Sequence, residues 1–92
     1  MHDFRQAVVI GMLLKVFRTN TGMTQNCVAS LSGVSASLYS LFESGKRIPS
    51  AKRLDSISSV LQLDSITRSQ IKALVANTKG LSVEDAGLSD EA

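Results

Sequence analysis

Between Asp3 and Asn20 apolar residues recur at helical spacing. Phe4, Val8, Met12 and Val16 form a stripe, widened by Ile10, Leu13, Leu14 and Phe17, while Arg5, Lys15 and Arg18 supply a polar side. The pattern predicts a first helix, stopped at Gly22. Its apolar run, AVVIGMLL, is eight residues long and closed by Lys15. A membrane span needs roughly twenty residues, so the run reads as a buried helix. A secretory leader is not expected either, because His2 and Asp3, not a basic segment, precede it.

The next two periodic segments are short. Thr24 is a helix cap ahead of Val28, Ala29 and Leu31 or Ser32, and Gly33 ends that helix after barely two turns. Ser35 caps another at once, with Leu38, Tyr39, Leu41 and Phe42 as its apolar arc and Ser44-Gly45 as its close. Pro49 favours an extended Ile48, and Ser50 caps a fourth helix bearing Leu54, Ile57, Val60 and Leu61. In ITRSQI, Thr67 and Gln70 stand at capping-box spacing and Ile66 and Ile71 at the positions of a hydrophobic staple, predicting a fifth helix that finishes at Lys79-Gly80. About eleven residues are too few to be helical alone in water, so the face Ile71, Leu74 and Val75 must pack, on the domain's own core or on a second copy of the chain.

Composition agrees with an all-α domain. Three Phe, one Tyr and no Trp leave the core to Leu, Ile, Val, Met and Ala. Ninety-two residues make one small domain, too small for an enclosed active site with a cofactor pocket. No nucleophile with a base, no pair of carboxylates and no phosphate-cradling glycine loop is present, so neither an enzyme nor a cofactor is expected. Cys27 is the single cysteine and His2 the single histidine, which excludes an internal disulfide and a clustered metal site and fits a reducing cytoplasm.

Charge alters this picture more. The net charge of +2 conceals a divided chain: residues 1 to 79 hold ten Lys and Arg against four acids, a surplus of six, and residues 80 to 92 hold four acids and no base. A basic body with an acidic tail suits a polyanionic partner. Residues 1–80 are therefore read as the domain, with its last helix serving packing or dimerisation, and 81–92 as a short acidic, mostly disordered C-terminal tail.

Two short helices joined across Gly33 have the form of a helix-turn-helix, in which the first braces the second for insertion into the DNA major groove. Ala29 is small where the two approach, Gly33 permits the corner, and Val34, Tyr39 and Phe42 turn back to the core.

IGMLLKVFRTNTGMTQNCVASLSGVSASLYSLFESGKRIPSAKRLDSISSVLQL, Ile10 to Leu63, resembles the lambda-repressor-like helix-turn-helix domain of the Cro/cI (XRE) type. The combination GMTQ, VA, SGVS and ESGKRIPS carries the resemblance, in that order and spacing. It implies a compact five-helix domain that binds double-stranded operator DNA, usually as a homodimer repressing transcription. By this resemblance Gln25, first in the second helix, bonds a DNA phosphate, and Thr24 shares that contact or simply caps the helix. Lys46 and Arg47 match the basic loop that neutralises phosphates, and Arg18 and Glu43 match a pair joining the first helix to the end of the third.

The positions resembling base-reading sites are Ser35, Ala36, Ser37, Ser40, Leu41 and Ser44, none of them able to make a bidentate base contact. Leu38 and Leu41 are available for thymine methyls. Two functions remain open at this level. One is a DNA-binding regulator, a dimeric repressor of phage, plasmid or mobile-element type. The other is a protein-interaction module that keeps the fold and engages a partner through Leu38, Leu41 and the last helix.

Overall fold

Four residues with a side-chain acceptor, Thr24, Ser35, Ser50 and Asp64, each sit in extended backbone and take a hydrogen bond from the backbone N–H three residues on. Each satisfies a donor that a new helix leaves free and so fixes where that helix begins. The computed structural model describes residues 5–77, which form five α-helices and no strand: α1 (Arg5–Thr21), α2 (Gln25–Ser32), α3 (Ala36–Ser44), α4 (Ala51–Leu61) and α5 (Ser65–Ala76). None of these helices is long and apolar enough to cross a membrane. His2, Asp3, Phe4, the Lys79-Gly80 stop and the acidic tail lie outside the described residues.

The helices enclose a core of Ile10, Leu14, Val28, Tyr39, Phe42, Leu54, Ile57 and Ile71, each at most 1% exposed. Tyr39 and Phe42 meet edge to face, with ring centroids 6.5 Å apart, an arrangement aromatic quadrupoles favour. α4 and α5 are tied at their junction by the Arg68 guanidinium, which donates to the Leu63 carbonyl and the Ser59 hydroxyl, both at 3.2 Å. An exposed Lys72–Asp55 ion pair at 3.1 Å spans the same two helices and adds little in water.

Two sequence expectations need correction here. The buried stripe of α1 is Ala7, Ile10, Gly11 and Leu14, not the stripe through Val8, Met12 and Val16, whose members are exposed. The reason is steric. α3 approaches α1 so closely that a Cβ on Gly11 would lie 2.4 Å from the Glu43 carbonyl oxygen and 2.5 Å from that of Phe42. Only a face lined by the smallest residues admits a helix at that range, so Ala7 and Gly11, not the bulkier valines, turn inward.

The second correction concerns α5. Asp64 caps it, accepting from Thr67 N–H at 2.7 Å, so the helix starts at Ser65, ahead of the predicted Thr67–Gln70 box. That bond holds the Asp64 carboxyl below its usual range. Ile66 then falls inside the first turn and is exposed, forming no staple. The helix closes at Ala76 with Asn77 as its cap.

Candidate nucleic-acid interface

The corner between α2 and α3 is built by backbone alone. Gly33 adopts φ 74°, in the left-handed region that suits glycine. Val34 N–H then bonds the Ala29 carbonyl at 2.9 Å. Val34 and Ala29 are buried beneath the corner, and α3 leaves it capped by Ser35, whose hydroxyl accepts from Leu38 N–H at 3.0 Å.

α3 consequently has two unlike sides. Leu38, Tyr39, Phe42 and Glu43 face inward and are buried. Ala36, Ser37, Ser40 and Ser44 face out and are exposed, and Leu41 is half-buried against the core. This corrects the expectation for Leu38: at 6% exposure it can reach neither a thymine methyl nor a protein partner. Three predicted contact hydroxyls already serve the fold: besides Ser35, Thr24 Oγ1 accepts from Cys27 N–H at 3.1 Å and Ser44 donates to the Leu41 carbonyl at 3.1 Å.

Beyond α3 the chain turns at Gly45, φ 81°. The N–H groups of Lys46 and Arg47 both bond the Leu41 carbonyl, at 3.0 and 3.2 Å. Ile48 and Pro49 are buried behind them. The loop is thus pinned to the end of α3, with Lys46 exposed and Arg47 half-exposed.

One cluster joins these parts. The Arg18 guanidinium grips Glu43 with two bonds, Nε to Oε2 at 2.6 Å and Nη2 to Oε1 at 3.1 Å. Its Nη1 reaches the Met23 carbonyl at 2.9 Å, at the entry to α2. Gln25, first residue of α2, donates through Nε2 to Glu43 Oε1 at 2.8 Å. The Glu43 side chain is only 3% exposed. Burial alone would push its carboxyl up, yet the bonds from Arg18 and then Gln25 outweigh it and hold the group below the usual glutamate range. The same bond raises Arg18. The Tyr39 hydroxyl lies close by, outside hydrogen-bond geometry. Burial and then the neighbouring carboxylate push its phenol up.

The Arg18–Glu43 contact is expected from sequence, but the participation of Gln25 and of the Met23 carbonyl is not. Gln25 and Glu43 are eighteen positions apart, beyond any local pattern, and a backbone carbonyl leaves no compositional trace. The face expected to pack on the core or on a second copy divides as well: Ile71 is 1% exposed in the chain's own core, and Leu74 and Val75 are half-buried. Cys27 is exposed on α2, and among the described residues no group of three or more His, Cys, Asp or Glu could hold a metal.

Residues 9–74 match the model of a family described as a helix-turn-helix domain. The match spans more than half of the chain, which belongs to this family, of the XRE/Cro-type class. Membership points to a DNA-binding regulator. No curated protein and no solved structure matches the chain.

Proposed function

We propose that this helix-turn-helix chain is a transcriptional repressor of phage, plasmid or mobile-element type, acting in the cytoplasm as a homodimer that lays α3 in the major groove of its operator. The observation that carries the reading is the outward face of α3, lined by the small residues Ala36, Ser37, Ser40 and Ser44, with the Lys46-Arg47 loop pinned beyond its end and Gln25, at the start of α2, bonded to Glu43 near that end. A flat face of Ala36, Ser37 and Ser40 admits close approach to base edges, and the flanks supply amides and cations to phosphates. With no bidentate base reader on that face, most of the affinity comes from the backbone and from DNA shape. Residues 1–80 form the working unit, with α5 contributing Leu74 and Val75 to the dimer contact.

The test is a gel shift with the DNA upstream of the gene, at two salt concentrations. Lys46→Ala and Arg47→Ala are each expected to reduce the log-log salt slope by about 0.9 and to weaken specific and non-specific DNA alike. An unchanged affinity and slope in the double variant would remove the loop from the interface. Sedimentation of Leu74→Glu tests the dimer: a folded variant keeping the wild-type mass places the contact elsewhere.

A further inference from the structure

We propose that Glu43 is a positioning residue for DNA binding: buried and out of reach of any ligand, it holds the Gln25 side-chain amide in place to meet a backbone phosphate. This rests on the DNA-binding function proposed above and deepens it.

Glu43 distributes its acceptors between two duties. Oε2 is taken by Arg18 Nε, and Oε1 serves both Arg18 Nη2 and Gln25 Nε2. The first duty locks α3 to α1 and would be complete without Gln25. The second adds no apolar burial. What it fixes is the rotamer of a half-buried side chain at the first position of α2, where the helix end itself attracts anions.

An amide nitrogen carries two hydrogens in one plane. With one committed to Glu43, the direction of the other is set before any phosphate arrives. A free glutamine would lose its rotamer freedom on binding, and ordering it beforehand removes that loss from the association step. Arg18 extends the arrangement to the main chain, because its bond to the Met23 carbonyl fixes the approach to Thr24, so the first N–H groups of α2 are held along with the side chain.

The experiment is a double-mutant cycle in DNA affinity, using Gln25→Ala, Glu43→Gln and the double variant, with the labelled upstream duplex and a labelled duplex of mixed sequence at low salt. Gln25→Ala is expected to weaken both duplexes about fivefold while leaving the unfolding midpoint near that of the wild type. Glu43→Gln should cost clearly less in the Gln25→Ala background than in the wild type, and additive effects would overturn the proposal.

Should Glu43→Gln fold poorly, the side-chain amide resonances of Gln25 in the wild-type protein give a second reading. They should shift in acid together with the Glu43 carboxyl, and resonances that ignore its titration would overturn the proposal without reference to DNA. A wild type that binds neither duplex overturns the DNA-binding function itself, whereas one that binds with zero coupling overturns only the role of Glu43.

Discussion

The two ends of α3 are held by different means. At the start, Gly33 turns the chain in open space, with nothing within 4 Å of where a Cβ would stand. The bonds there run between near neighbours, Val34 to Ala29 and Leu38 to Ser35. At the finish, a Cβ on Gly45 would lie 2.9 Å from the Cα of Val8, the carbonyls of Phe42 and Glu43 press on Gly11, and Arg18 clamps the carboxylate. Both ends use a left-handed glycine, but one answers only to local geometry and the other to a helix far away in sequence. α3 is therefore anchored to the body of the protein at its end and aimed by the corner at its start.

That contrast ranks the substitutions that would break it. Glu43→Ala removes one partner of a largely buried pair and strands the Arg18 guanidinium, at a cost of roughly 3 to 5 kcal/mol. Urea unfolding measures it, and a loss below about 1 kcal/mol would mean that the pair behaves as an exposed one. The same bond sets an acid limit. Because the folded-state carboxyl titrates below its unfolded value, the pair's contribution is complete above the ordinary glutamate range, about 4.3, and is lost as pH falls through the folded value. Stability of the wild type should therefore fall with acid over a window that Glu43→Gln lacks.

Gly11→Ala comes next. Its methyl meets two backbone carbonyls, neither of which can rotate away, so α1 and α3 must separate. Overpacking of this kind costs about 3 kcal/mol, and a midpoint within error of the wild type would show that the helices stand further apart than 2.4 Å implies. Gly45→Ala combines left-handed strain with contact on the Val8 backbone, about 2 kcal/mol in all. Gly33→Ala carries the strain alone, about 1 kcal/mol. The comparison between ends depends on this last pair: equal losses at Gly33 and Gly45, measured by thermal or urea unfolding in parallel, would abolish it.

The same division explains what can be read in the sequence. Thr24, Ser35 and Ser50 announce themselves because a cap and its N–H are three residues apart, and the Gly33 corner lies between two such signals. The five-helix plan and the helix-turn-helix stretch that carries the candidate interface are accessible for that reason. Periodicity turns α1 to the wrong side because its run is apolar nearly all round, and bulk points to Val8 and Met12, whereas the decisive quantity is smallness at Gly11, set by a backbone in α3. It starts α5 late because a Thr-x-x-Gln box and an Asp cap overlap there, and the carboxylate of Asp64 is the acceptor that captures Thr67 N–H. Leu38 and Ile71 cannot be assigned to surface or core by spacing, since each lies within an apolar arc whose orientation depends on neighbouring helices. The bond from Gln25 to Glu43 belongs to the same class of long-range facts.

α4 ends differently from the helices before it. Its cap, Gln62, holds φ 59° and ψ 41°, the left-handed state, and it is the only described residue other than glycine with a positive φ. A side chain there works against the backbone by about 1 kcal/mol relative to glycine. For the evolution of the chain this is latitude: a single substitution at an exposed position, outside the candidate interface, widens the margin of stability within which other changes are tolerated. If the chain acts as the repressor proposed above, altering the serines of α3 to follow a drifting operator would carry destabilising steps that a prior glycine at position 62 could absorb.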